Sequence, residues 1–170
     1  MKIIRLAIAA CLVCNFLGCD ETKKEATKEP NEIISKVKFE KQEVPVFHKS
    51  HEPKKENAPF SDVVQVGNTF YLSGQIGMDH TTRELVAGGI KAETAQALEN
   101  IKAVLAQHSL EMKDVIKATV ILDTIEDFSV FNEIYTQYFP QKPARTTFAA
   151  EALAKGATIE IEVVAVSGRQ

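Results

Sequence analysis

Pro143-Ala144-Arg145-Thr146-Thr147-Phe148, followed about a strand later by Ile159-Glu160-Ile161-Glu162, is the stretch on which the fold turns. Both runs are rich in β-branched and apolar residues. They read as the last two strands of the chain, Arg145 to Ala150 and Ala157 to Val166. They set one arginine, which cannot lose its charge, near one carboxylate. A guanidinium grips a small carboxylate through a bidentate fork, and a glutamate nearby can position or deprotonate a water. Glu162, two residues on, shares the strand face of Glu160.

Working outward, Val63–Val66 and Thr69–Leu72 read as two strands joined by the tight turn Gly67-Asn68. Ser73-Gly74-Gln75-Ile76-Gly77 follows, where a glycine lets a ligand approach the backbone closely, and a short strand or loop runs on to Gly88-Gly89. From Ile90 to His108 the apolar residues Ala95, Leu98, Ile101 and Leu105 recur at helical spacing. Val115 to Leu122 is β-rich, its apolar run interrupted by Lys117 and Thr119. Phe128 to Phe139 places Phe131, Ile134, Tyr135 and Tyr138 at helical intervals and stops at Pro140. The order predicts an α+β domain with two helices on one face of a mixed sheet.

The 170 residues suffice for one domain. With 45% hydrophobic and 25% charged residues and a net charge of −3, the chain has no electrostatic footprint for nucleic acid. Its first residues read as a signal: Lys2 and Arg5 precede an apolar run from Leu6 to Leu17, too short to span a bilayer as a helix. Phe16-Leu17-Gly18-Cys19 then reads as a lipobox, with Phe16 where leucine is usual. The expectation is a lipoprotein signal peptide over residues 1–18, lipid attached at Cys19, and a protein held at the periplasmic side of the cell envelope. Which membrane receives it is left open, and a plain secretory signal or an uncleaved anchor is the alternative. All three cysteines, Cys11, Cys14 and Cys19, lie here, so the domain itself has neither disulfide nor thiolate chemistry.

Residues 19–57 read as a tether. From Asp20 to Asn57 it carries nine lysines, nine acidic residues, three prolines and no glycine, a composition that buries too little apolar surface to fold alone. Ile33, Ile34, Val37, Phe39, Val44, Val46 and Phe47 leave open an added strand on a domain running over 58–170. His48 and His51 stand at i,i+3 without a third ligand and read as solvated, so no metal site is expected. His80 and His108 read as exposed loop and helix-end residues.

Together, Ser73-Gly74-Gln75-Ile76-Gly77, Pro143 to Phe148 and Ile159 to Glu162 resemble the RidA (YjgF/YER057c/UK-type) family of enamine/imine deaminases, over about Ala58 to Val166. The resemblance implies a chorismate-mutase-like α+β domain, with a mixed six-stranded sheet, that forms a homotrimer with sites in clefts between subunits. It also implies hydrolytic deamination of small 2-imino or enamino acids to 2-keto acids and ammonia. Arg145 then holds the substrate carboxylate and Glu160 directs the water, while Ser73, Gly74, Phe60, Asn132 and Thr147 line the substrate pocket. Neither metal nor organic cofactor is implied, because an imine carbon is already electrophilic. Two positions depart from the family archetype. Ala58-Pro59-Phe60 replaces a Gly-Pro-Tyr whose hydroxyl reaches the site, and Thr147 replaces a cysteine. With the envelope location, these departures raise an alternative: a non-catalytic module that binds small carboxylates.

Overall fold

The computed structural model describes residues 43–168. The strands are β1 (Val46–His48), β2 (Val63–Val66), β3 (Thr69–Leu72), β4 (Gln75–Ile76), β5 (Val115–Leu122), β6 (Ala144–Ala149) and β7 (Ile159–Val166). Helix α1 spans Gly89–Gln107 and α2 spans Phe128–Tyr138. The strands form one mixed sheet in the order β1-β2-β3-β7-β5-β6, with β4 also on β7. Only β5 and β6 run parallel, and α2 is the crossover that a parallel pair requires. Every other pairing is antiparallel.

The α+β architecture expected from the element order is the one found. Alternation along β5 and β7 buries Ala118, Val120 and Leu122 beside Ile159, Ile161, Val163 and Ala165. This face meets Ala97, Leu98, Ile101, Val104 and Leu105 of α1 and Phe131 and Tyr135 of α2. The inward stripe of α1 therefore runs through Ala97 and Val104, while Ala95 is only half-buried. The opposite face of β5, β6 and β7 carries Thr119, Ile121, Thr146, Phe148, Glu160 and Glu162 and is left open, with Phe148 46% exposed.

The sheet has seven strands, not the six of the family expectation, because the possible extra strand near Val46 does form. Val46, Phe47 and His48 pair with Gln65, Val64 and Val63. The segment read as tether is thus folded well before Ala58. His48 Nε2 lies 3.1 Å from Gln65 Oε1, and its ring packs edge-on to His108 at 4.6 Å, so neither histidine is the free side chain expected. Lys55 is buried, with Glu52 at 3.0 Å and Asp62 at 3.7 Å. The signal peptide, Cys19 and Ile33 to Phe39 lie outside the described residues. Among the described residues no helix is long and apolar enough to cross a membrane.

Polar clips fix to α1 both the loop after β4 and the segment leading into β7. Asn100 Nδ2 donates to the carbonyls of Ile76 (3.1 Å) and Met78 (2.9 Å), and Glu93 Oε2 accepts the Thr158 N–H at 2.9 Å. Gly77 crosses α1 at backbone distance: a Cβ there would fall 2.4 Å from Glu93 Cα. Gly77→Ala must therefore push the loop off the helix. It is expected to destabilise the fold by about 1–3 kcal/mol, read as a fall in melting temperature of about 5 °C or more.

Candidate active site

Arg145 lies on β6, at the edge of the sheet. In the register its neighbour on β5 is Ala118, whose own neighbour on β7 is Val163, so the arginine stands on the helix side. There its guanidinium carbon lies 4.7 Å from the Tyr135 ring centre, 5.1 Å from Phe131 and 5.6 Å from Phe128. Each contact is within cation–π range. Nη1 donates to Asn132 Oδ1 at 2.7 Å. The guanidinium is half-buried, yet among the described residues no carboxylate is within ion-pair distance of it. Thr147, two residues on, presents a buried Oγ1 with no hydrogen-bond partner among the described residues. Burial pushes the Tyr135 phenol above its usual pKa, and the nearby arginine charge opposes that shift. Arg145 and Asn132 are thus bonded, and Thr147 stands on the same strand two residues from the arginine.

Glu160 lies on β7, beside Ile121 of β5 and Ile76 of β4. Its carboxylate rests on Gly74, where any Cβ would fall 2.0 Å from Oε1. A cleft of about 270 Å³ opens over it, walled by Phe60, Gly74, Ile76 and Met78 and rimmed by Lys55, His80, Arg83 and Lys155. Burial raises the Glu160 pKa, and the charge of Glu162 adds to the rise. Phe60 divides this cleft from a second groove of about 500 Å³ that includes Phe47, Ser61, Val64 and Ser73. Ser73 therefore borders the neighbouring groove, and its hydroxyl donates to the Ser61 carbonyl at 2.7 Å.

Arg145 and Glu160 do not meet within one chain. β5 separates their strands, and Ala118, beside Arg145, is three residues from Ile121, beside Glu160. An odd offset puts the two side chains on opposite faces of the sheet. The proximity read from their short separation in sequence is corrected accordingly: one chain holds two separate groups, Arg145-Asn132-Thr147 at the sheet edge and Glu160-Gly74-Phe60 in the cleft. Among the described residues no cluster of three or more His, Cys, Asp or Glu is placed to hold a metal ion.

The sequence reading missed the arginine's aromatic cradle and the basic rim. Phe131 and Tyr135 were visible only as a core stripe. His80 Nδ1 lies 2.9 Å from Glu52 Oε1, a pairing across a loop that no local pattern signals. Burial is the main cause of the Glu160 shift and Glu162 the second. Carboxyl NMR should therefore find Glu160 titrating above the ordinary glutamate range, with the midpoint lowered but still raised in Glu162→Gln. A midpoint at the ordinary value in the unaltered chain would contradict the burial.

Residues 49–167 match the family model described as Endoribonuclease L-PSP. The human 2-iminobutanoate/2-iminopropanoate deaminase is 47% identical over 111 residues, which cover 65% of this chain and 81% of that protein. A RutC family protein of Pyrococcus horikoshii is 44% identical over 108 residues, 63% of this chain and 86% of its own. Among solved structures, the YjgF gene product of E. coli superposes with a TM-score of 0.66 at 30% identity, covering 72% of this chain and 99% of that one. E. coli TdcF with bound serine gives 0.63 at 29%, covering 76% and 97%. The match extends over most of the chain and over nearly the whole of these solved structures: the chain belongs to the Endoribonuclease L-PSP (RidA) family.

Proposed function

We propose that the chain hydrolyses small 2-imino and enamino acids to 2-keto acids and ammonia, at sites completed between the subunits of a homotrimer. One observation carries the reading: Arg145 is half-buried, oriented by Asn132 and three aromatic rings, and left without a carboxylate among the described residues. Holding a charge out of water is unfavourable without a counter-ion, and a small carboxylate supplies one in the geometry a guanidinium prefers. The names of the curated relatives support the reaction class.

Two observations support the trimer: Arg145 and Glu160 face opposite sides of one chain's sheet, so a site using both takes them from different subunits, and the open sheet face with exposed Phe148 favours cover. In mechanism, Arg145 holds the substrate carboxylate while Glu160 of the partner subunit takes a proton from water as the oxygen bonds to the imine carbon. That proton passes to the nitrogen as the C=N double bond becomes single, giving a carbinolamine; Glu160 then takes the proton of the new hydroxyl and delivers it to the nitrogen, so that the C=O bond forms as the carbon–nitrogen bond breaks and ammonia leaves a 2-keto acid. A carboxyl whose pKa is raised toward the working pH serves both directions of transfer. Edge strand β6 has one row of backbone groups without a strand partner, which steady the nitrogen near Thr147.

Arg145→Ala and Glu160→Gln should each lower kcat/KM by about a hundredfold or more. Mixing the two inactive variants after unfolding and refolding should restore activity, because some interfaces then pair an intact arginine with an intact glutamate. A mixture as inactive as its components would refute a shared site, and full activity in Arg145→Ala would refute the clamp.

The location proposed is the periplasmic side of the envelope, with lipid on Cys19; the Leu6–Leu17 run and Gly18-Cys19 support it. Labelled palmitate should enter the full chain and not Cys19→Ser, with the variant leaving the membrane fraction. Equal labelling would exclude Cys19 as the attachment point.

A further inference from the structure

The cleft over Glu160 has a feature that hydrolysis leaves unused. Its rim is cationic, and the cations are held in place. Arg83 and Lys155 come from two loops 72 residues apart, and Lys155 Nζ donates to the Arg83 carbonyl at 3.1 Å. Both residues have left-handed backbone, with φ of 68° and 60°. Long side chains rarely adopt that conformation, and it persists where the surroundings over-determine it. Arg83 is also fixed at its far end, where Nη1 donates to Glu52 Oε2 at 3.1 Å.

The carboxylates beside the rim are shared among several cations rather than paired one to one. Glu52 serves Lys55 at 3.0 Å and His80 at 2.9 Å as well as Arg83. Asp62 reaches Lys55 at 3.7 Å. Among the described residues Lys155 has no carboxylate within ion-pair distance. The cleft's own carboxylate, Glu160, is assigned to the water. Arg83 keeps further N–H donors beyond the one spent on Glu52, because a guanidinium has five.

We propose that this rim selects the substrate's side chain: the cleft takes 2-imino acids that end in a second carboxylate, held by Arg83 and Lys155 while the imine carbon lies over Glu160. The inference rests on the deaminase reading and adds a substrate class to it. At about 270 Å³ the cleft is at the small end of ligand pockets, commonly ~300–1,000 Å³, which suits a short diacid. An apolar side chain would displace water from two cations and give them nothing in return, so discrimination comes from mismatch as well as from attraction. The bonds made and broken are those of the imine hydrolysis, and the product is a 2-keto dicarboxylate with ammonia.

The test uses the full chain and imines released in place by an amino-acid oxidase, from glutamate in one series and from leucine in the other. The glutamate-derived imine should have the higher kcat/KM, by about tenfold or more for the added charged contacts. That ratio should collapse in Arg83→Gly and in Lys155→Asn, replacements that tolerate left-handed backbone and so spare the fold. Turnover of both imines at equal kcat/KM, or a ratio unmoved in both variants, overturns the inference and leaves the deaminase standing. Turnover of neither imine overturns the deaminase, and binding then decides the rim. In that case 2-oxoglutarate should raise the melting temperature more than 2-oxo-4-methylpentanoate, with the difference abolished in the variants; equal shifts overturn the inference.

Discussion

The register of β5 between β6 and β7 is the constraint on which the rest of the molecule depends. Ala118 beside Arg145 and Val163, and Ile121 beside Phe148 and Glu160, decide which side chain faces the helices and which faces away. A slip of one residue would exchange the two faces. It would push Ala118, Val120 and Leu122 out of the core, and all three are fully buried. Apolar burial therefore enforces the register, and the register fixes the arginine and the glutamate on opposite faces. The separation of the arginine from the glutamate follows from core packing alone.

The arginine half shows how the fold holds a charge ready without neutralising it. An aspartate at position 132 would offset the guanidinium charge and weaken its pull on an anionic ligand. Asn132 donates no charge and accepts one hydrogen bond at 2.7 Å, which orients the fork. The rings of Phe128, Phe131 and Tyr135 attract the guanidinium through their quadrupoles, each contact contributing about 0.5–2 kcal/mol, without cancelling its charge. The glutamate half works in the opposite sense. Burial and Glu162 raise the energy of the charged carboxylate, so Glu160 holds a proton more readily than an exposed glutamate does. One half lacks an anion and the other resists becoming one, which is the pairing that carboxylate capture and proton transfer ask for.

What the sequence showed and what it hid divide along physical lines. Strand and helix identities were legible because alternation over Ile159–Val166 and helical spacing over Phe128–Tyr138 are local and strongly patterned. Arg145, Asn132 and Thr147 were singled out through family motifs, and the structure bonds the first two and sets Thr147 on the arginine's strand. The separation of Arg145 from Glu160 was not legible, because it depends on which strand lies between them, and that is settled by pairing across the whole domain. β1 was ambiguous for a different reason. Val46 and Phe47 are apolar but sit in a lysine- and glutamate-rich stretch, and an edge strand with 50% and 68% exposure for these residues needs little apolar patterning. His80 misled because a histidine in a polar loop carries no sign of a buried partner, and Glu52 is 28 residues away in the chain.

Phe60 is where these threads meet. It stands 56% exposed on the wall between two grooves, with Glu160 on one side and Ser73 on the other. A tyrosine there would offer a hydroxyl to the cleft, and Phe60 offers only a ring face. Donors stand elsewhere on the same cleft, where Arg83 and Lys155 supply them from loops rather than from the wall. That arrangement moves recognition from the reacting end of a ligand toward its far end. It also explains how two long, charged residues are held in left-handed backbone. Each is tied at its side chain, Arg83 to Glu52 and Lys155 to the Arg83 carbonyl, so these ties and the strain support one geometry. Relieving the strain at either residue would free its charge to swing into water, and the rim would lose its definition before the fold lost its core.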